Sequence, residues 1–176
     1  MIVVEMTAKE CRDALIETRF GRLACARDNQ PYIVPIFFVM DGEFLYSFSV
    51  AGRKIDWMRE NPRVCVEVDS VKSWNDWTSV VAFGRYEELP DTPGWQAERR
   101  RAHHLLEQRA MWWQPASVEI PDHAGEVFLP VFFRIILECP SGHRGLASPD
   151  GTRLAAHERA RAGWWRQLFR PAEVKH

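Results

Sequence analysis

YIVPIFFVMDGEFLYSFSVAGRK, running from Tyr32 to Lys54, holds the hairpin and the helix start around which the rest of the chain is arranged. Tyr32 to Met40 reads as a strand with two apolar faces: Tyr32, Val34, Ile36, Phe38 and Met40 on one, Ile33, Pro35, Phe37 and Val39 on the other. Side chains alternate across a strand, so a strand apolar on both faces lies between a core and a second body, a ligand or another subunit. Asp41-Gly42 is the strongest short hairpin signal in the chain, because a two-residue turn needs positive φ and glycine adopts it readily. Glu43 to Ser49 returns as the next strand. Beyond Gly52, Arg53 to Asn61 reads as a helix that Pro62 stops.

Working outward, Thr7-Ala8-Lys9-Glu10 has capping-box spacing, with Cys11 and Leu15 as the inward face of a first helix. Phe20 to Ala26 reads as a strand and Arg27 to Gln30 as a turn. Arg63 to Val71 and Trp77 to Leu89 are further strands, joined through the polar turn Ser73 to Asp76. Pro90 to Gly94 is a loop. Trp95 to Trp113 places Ala102, Leu105, Leu106 and Trp113 on one helical face. Val127 to Leu137 alternates cleanly, with Val127, Leu129, Val131, Phe133, Ile135 and Leu137 on one side. A Gly- and Arg-rich tail follows Pro140, with a short helix expected over 155–169. The expected architecture is mainly β with peripheral helices: a six-stranded antiparallel barrel over residues 1–142, and a tail or helix over 143–176 packed on it.

Bulk composition fits one domain of 176 residues, 46% hydrophobic and 27% charged, with formal net charge -1. That balance argues against an overall nucleic-acid or membrane-surface binder. The longest apolar runs are too short for a helical span and no secretory leader is visible, which predicts a cytoplasmic protein. Cys11, Cys25, Cys65 and Cys139 are scattered with no CxxC pair, as expected of unpaired thiols in a reducing compartment. His103 and His104 are adjacent on a helix and point about 100° apart, so they do not serve one metal from one face. Arg99-Arg100-Arg101 reads as a solvated charged face. His143 and His157 lie in the tail, each isolated.

The chemistry concentrates between Ser47 and Lys54. A strand ends, Gly52 permits a tight turn, and a helix begins with free backbone N–H groups at its positive end. Arg53 and Lys54 in the first turn oppose the helix dipole, and a bound phosphate reverses the sign of that effect. Ser47 and Ser49 are near enough to donate. The alternative from spacing alone is a solvated basic pair, with Asp56 offsetting the dipole.

Leu45-Tyr46-Ser47, then Val50-Ala51-Gly52-Arg53, then Trp77-Thr78-Ser79-Val80-Val81-Ala82-Phe83-Gly84 resemble the pyridoxamine 5'-phosphate oxidase-like family. The nearer likeness is to its flavin-nucleotide-binding branch, which includes nitroimidazole-resistance proteins, and it runs from roughly Thr7 to Gly142. The resemblance implies a split β-barrel, dimeric, with FMN (or FAD) at the subunit interface. It implies that Ser47, Ser49, Gly52, Arg53 and Lys54 hold the phosphate. Val34, Pro35, Ile36 and Phe37 then lie beside the isoalloxazine, and Trp77, Thr78, Ser79 and Val80 line the site from a neighbouring strand. For Trp77 and the Phe37-Phe38 pair, core packing stands as the alternative. Serine stands at position 47, where the nitroimidazole-resistance proteins carry histidine, a departure that argues against nitroimidazole chemistry here. The implied function is hydride transfer between flavin and a reduced nicotinamide or small-molecule substrate. A flavin carrier without turnover and a haem-binding relative are the alternatives. Trp164-Trp165, beside Arg161 and Arg166, suits either a lid over the flavin or the anchor of a terminal helix.

Overall fold

The computed structural model describes residues 1–108 and 130–147. In chain order the elements are β1 (Ile2–Glu5), α1 (Ala8–Glu17), β2 (Phe20–Arg27), β3 (Gln30–Phe37), β4 (Val39–Asp41), β5 (Phe44–Ser49), α2 (Arg53–Glu60), β6 (Arg63–Ser73), β7 (Asp76–Glu88), a 3-10 turn (Pro93–Trp95), α3 (Gln96–Glu107), β8 (Val131–Leu137) and β9 (Ser141–Leu146). All pairing is antiparallel, in the order β3-β2-β6-β7-β8-β5-β4, with β9 between β7 and β1. The protein is a mainly β, antiparallel split barrel. The split lies in β7, which pairs with β9 over Trp77–Val81 and with β8 over Gly84–Glu88.

Local chemistry accounts for the elements the sequence announces. Thr7 accepts from the Glu10 N–H while the Glu10 carboxylate takes the Thr7 N–H at 2.8 Å, so the capping box forms and turns Cys11 and Leu15 into the core. Asp28 and Asn29 both have positive φ, the signature of a two-residue type I′ turn between β2 and β3. Gly42, at φ 63°, serves the β4–β5 hairpin. The main core gathers Leu15, Leu23, Leu45, Ile55, Met58, Val66, Val80, Phe133 and Ile135. A second cluster under α3 holds Val39, Tyr46, Leu89, Ala102, Leu106 and Phe132, so β8 is covered on both faces.

Among the described residues there are nine strands, against the six expected. Tyr32 to Met40 is not one strand: the Phe38 N–H turns to the Arg19 carbonyl at 3.2 Å, ending β3, and β4 then pairs with β5. Its outward residues Ile33 and Pro35 are exposed in the single chain. β1 adds an N-terminal strand, and the stretch read as tail contains β9. Ser141–Leu146 has little strand propensity. Its glycines are there because a Cβ on Gly142 would lie 2.9 Å from the Ser79 carbonyl oxygen, and one on Gly145 would overlap the Trp77 indole. The sheet therefore continues through position 142 to Leu146. Arg99 and Arg101 also do more than face solvent: Arg99 donates to the Leu89 carbonyl at 2.9 Å and Arg101 pairs with Asp41 at 2.5 Å, docking α3. The expected elements over 109–129 and 155–169, with Trp164-Trp165, lie outside the described residues. No helix among the described residues is long and apolar enough to cross a membrane.

Candidate functional site

The start of α2 is an exposed concentration of positive charge. Gly52 precedes it at φ 155°, ψ -175°, a backbone region open essentially to glycine, and nothing lies within 4 Å of where its Cβ would be. Arg53 stacks its guanidinium 5.6 Å from the Tyr32 ring, and neither Arg53 nor Lys54 has a carboxylate partner among the described residues. The expected counter-charge, Asp56, is turned to Arg59 at 3.7 Å. Burial pushes the Lys54 ammonium below the usual lysine range, with the nearby Cys25 thiol acting weakly the other way. A half-buried cation without an acid, at a helix N-terminus, fits an anionic group. Ser49, half-buried before the turn, pairs with Val131 of β8 through its backbone, while its hydroxyl has no hydrogen-bond partner among the described residues.

Ser47 departs from its expected role. It is 1% exposed and its hydroxyl donates to the Phe37 carbonyl at 2.6 Å. β3 and β5 share no ladder, so this bond ties the two strands together across the barrel and leaves no proton for a phosphate.

β3 offers a different kind of partner. Its other edge is unpaired among the described residues. With Arg27 and Gln30 as the hydrogen-bonded pair closing the turn, Gln30, Tyr32, Val34 and Ile36 bond to β2, and the intervening residues send their polar groups outward. Pro31 and Pro35, lacking an N–H, occupy outward positions, as prolines on an edge do. The open edge therefore presents the Ile33 N–H and C=O and the Pro35 C=O. Val34 and Ile36 pack their side chains on or in the core and spend their backbone groups on β2. Phe37 is half-buried, its ring 4.8 Å from that of Phe20.

The four residues of β7 are not on a strand neighbouring β3. β2 and β6 intervene, a separation of about 14 Å at the usual strand spacing. Val80 is fully buried in the core, and Thr78 shares its inward face. Trp77 and Ser79 face outward, Ser79 donating to Glu67 at 3.3 Å. Arg22 binds Glu67 at 3.0 Å and also Asp69. Trp77 is half-buried against Gly145 of β9, closer to the packing alternative. The same outer face carries a row the sequence reading missed: Ile33, Ala24, Cys65 and Phe83, in register across β3, β2, β6 and β7. Ile33 and Phe83 are 60% and 59% exposed, enough for an apolar surface in want of cover. Period-two alternation predicts each member, but only the register aligns them.

Residues 7–144 match the family model for pyridoxamine 5'-phosphate oxidase. The chain belongs to that family. A relative in Rhizobium meliloti (strain 1021), the uncharacterized protein RA0666, is 40% identical over 148 residues, covering 84% of this chain and 98% of its own. The solved structure of an FAD-binding protein from Mesorhizobium loti is 44% identical, with a TM-score of 0.68 over 84% of this chain and all of that one. A provisionally assigned 5-nitroimidazole antibiotic resistance protein from Bacteroides thetaiotaomicron shares the fold at 15% identity, TM-score 0.58, over 82% of this chain and 89% of that one. The oxidase-family match thus runs from α1 into β9 and includes the α2 start, the β3 edge and the outer face of β7.

Proposed function

We propose that this member of the family is a homodimeric flavin-nucleotide-binding oxidoreductase, passing hydride between a reduced nicotinamide or other small molecule and FMN or FAD. The observation that carries the reading is the Arg53–Lys54 pair: two cations with no acid partner among the described residues, at the N-terminus of α2, with Arg53 against Tyr32 of β3. The 44% identical structure is that of an FAD-binding protein, which supports a flavin as the anion's bearer. Bound there, a flavin supplies two-electron chemistry. The chain's own residues bind and orient it. Ser49, Arg53, Lys54 and the backbone N–H groups after Gly52 hold the phosphate, and Ile33 and Pro35 offer backbone groups to the ring's polar edge.

The second wall comes from another copy. Within one protomer β2 and β6 separate β3 from β7, which supports an isologous arrangement in which the β3 edge and α2 of one copy meet the outer face of β7 in the other. The row Ile33, Ala24, Cys65 and Phe83 supplies the apolar contact. Four free thiols accord with a cytoplasmic setting.

Flavin titration tests the reading. Arg53→Ala and Lys54→Ala each remove a charge-assisted contact worth about 1.5–3 kcal/mol, so FMN and FAD should bind roughly tenfold or more weakly. Variants that titrate as tightly as the parent overturn the assignment. Turnover with NADH or NADPH then separates an oxidoreductase from a carrier.

A further inference from the structure

His143 stands on the outer face of β9, in register with Glu5 of β1 on one side and Ser79 of β7 on the other. Residues paired in this way have Cβ atoms about 5 Å apart. Two positions along the same face is Gly145, whose missing side chain lets the Trp77 indole lie over β9. His143, Ser79 and Trp77 therefore form one patch on the face that also carries the apolar row. The imidazole is exposed and makes no hydrogen bond among the described residues. The other charged groups facing it are Glu5 beside it, Glu67 and Asp69 on β6, and Arg22 on β2, which binds both of those acids. Glu10 and Arg144 pair at 2.8 Å behind the sheet, on the α1 side.

We propose that His143 is the residue that tunes the flavin, its imidazolium facing the ring across the dimer interface and favouring the reduced over the oxidised state. This rests on the dimeric flavin reading and gives the outer patch a task within it. Two-electron reduction with uptake of one proton leaves a net negative charge on an isoalloxazine, and a cation near the ring stabilises that state. Imidazole is the side chain whose ordinary titration falls between pH 5 and 8, so the preference is present in acid and fades in base. Glu5 stands opposite it across the β1–β9 ladder. Ser79, occupied with Glu67, leaves the imidazole N–H groups free for the ring. Trp77 walls the patch on the side toward the β6–β7 turn.

The test is the midpoint potential of bound FMN at pH 5.5 and 8.5 in the parent, His143→Gln and His143→Lys proteins. At pH 5.5 the glutamine variant should favour the reduced state about tenfold less, a shift of roughly 30 mV for a two-electron couple. At pH 8.5 parent and glutamine variant should coincide, while the lysine variant stays raised at both. A glutamine variant that binds FMN and matches the parent at pH 5.5 overturns the role of His143 and leaves the flavin site standing. A parent that retains neither FMN nor FAD overturns both.

Discussion

Ser47 has one proton to give, and it goes to the Phe37 carbonyl. A hydroxyl in a fully buried position is costly unless bonded, and the carbonyl it serves belongs to the last residue of β3. Ser47→Ala removes that hydrogen bond and should therefore lower stability by about 1 kcal/mol, as read from urea unfolding. FMN affinity of the folded variant should stay within about twofold of the parent. A large loss of affinity at unchanged stability would restore Ser47 to the phosphate site. Residue chemistry in the Ser47–Lys54 segment was legible where it depends on charge and on the helix start, which local sequence shows. It was illegible for Ser47, because that partner lies on a strand with which β5 shares no ladder.

Among the elements, α2 is held to the barrel by the bidentate pair of Arg59 with Glu88, at 2.7 and 2.8 Å, which Tyr86 joins through its hydroxyl. The Arg59 hydrogen bonds hold the Glu88 carboxyl below the usual carboxylate range, and burial, with the Glu88 contact, pushes the Tyr86 phenol up. A carboxyl depressed in the folded state contributes stability above its unfolded pKa and loses it as the pH falls through the folded value. The pair is partly exposed, so the contribution is about 1 kcal/mol after solvent screening. Thermal melts of Glu88→Gln should show a lower midpoint near neutrality and a shallower decline into acid than the parent. Identical profiles would remove Glu88 from the account. Strands β2, β5, β6, β7 and β8 and helices α1 and α2 could be read from alternation, turn signals and caps. β9 could not, because close approach to Trp77, Ser79 and Cys11 selected glycines where propensity alone asks for branched side chains. The break after Phe37 was equally hidden, since it depends on which strand Val39 pairs with rather than on any residue in the run.

For the whole molecule, the proposed dimer makes the outer face of β2, β6 and β7 an interior. Phe83→Glu places a charge in the middle of the apolar row while touching nothing in the barrel core, since the ring is exposed in one chain. Light scattering should give the parent about twice its 20.5 kDa chain mass and Phe83→Glu a monomer, with FMN affinity falling in step. A monomeric parent that still binds flavin would place the whole site within one chain. The pairing of β1 with β9 has a consequence in time. Ile2 lies opposite Leu146, so the first of the described strands to be made waits for the last before it can pair. Contacts this distant in sequence slow folding, because a long loop must close before the ladder forms. Until Ser141–Leu146 has emerged, the nascent barrel presents the bare flank of β7 along Trp77–Val81, an edge onto which another unfinished chain can add a strand. Slower translation across that stretch would lengthen the exposure, and a chaperone engaging the nascent chain there would shorten it.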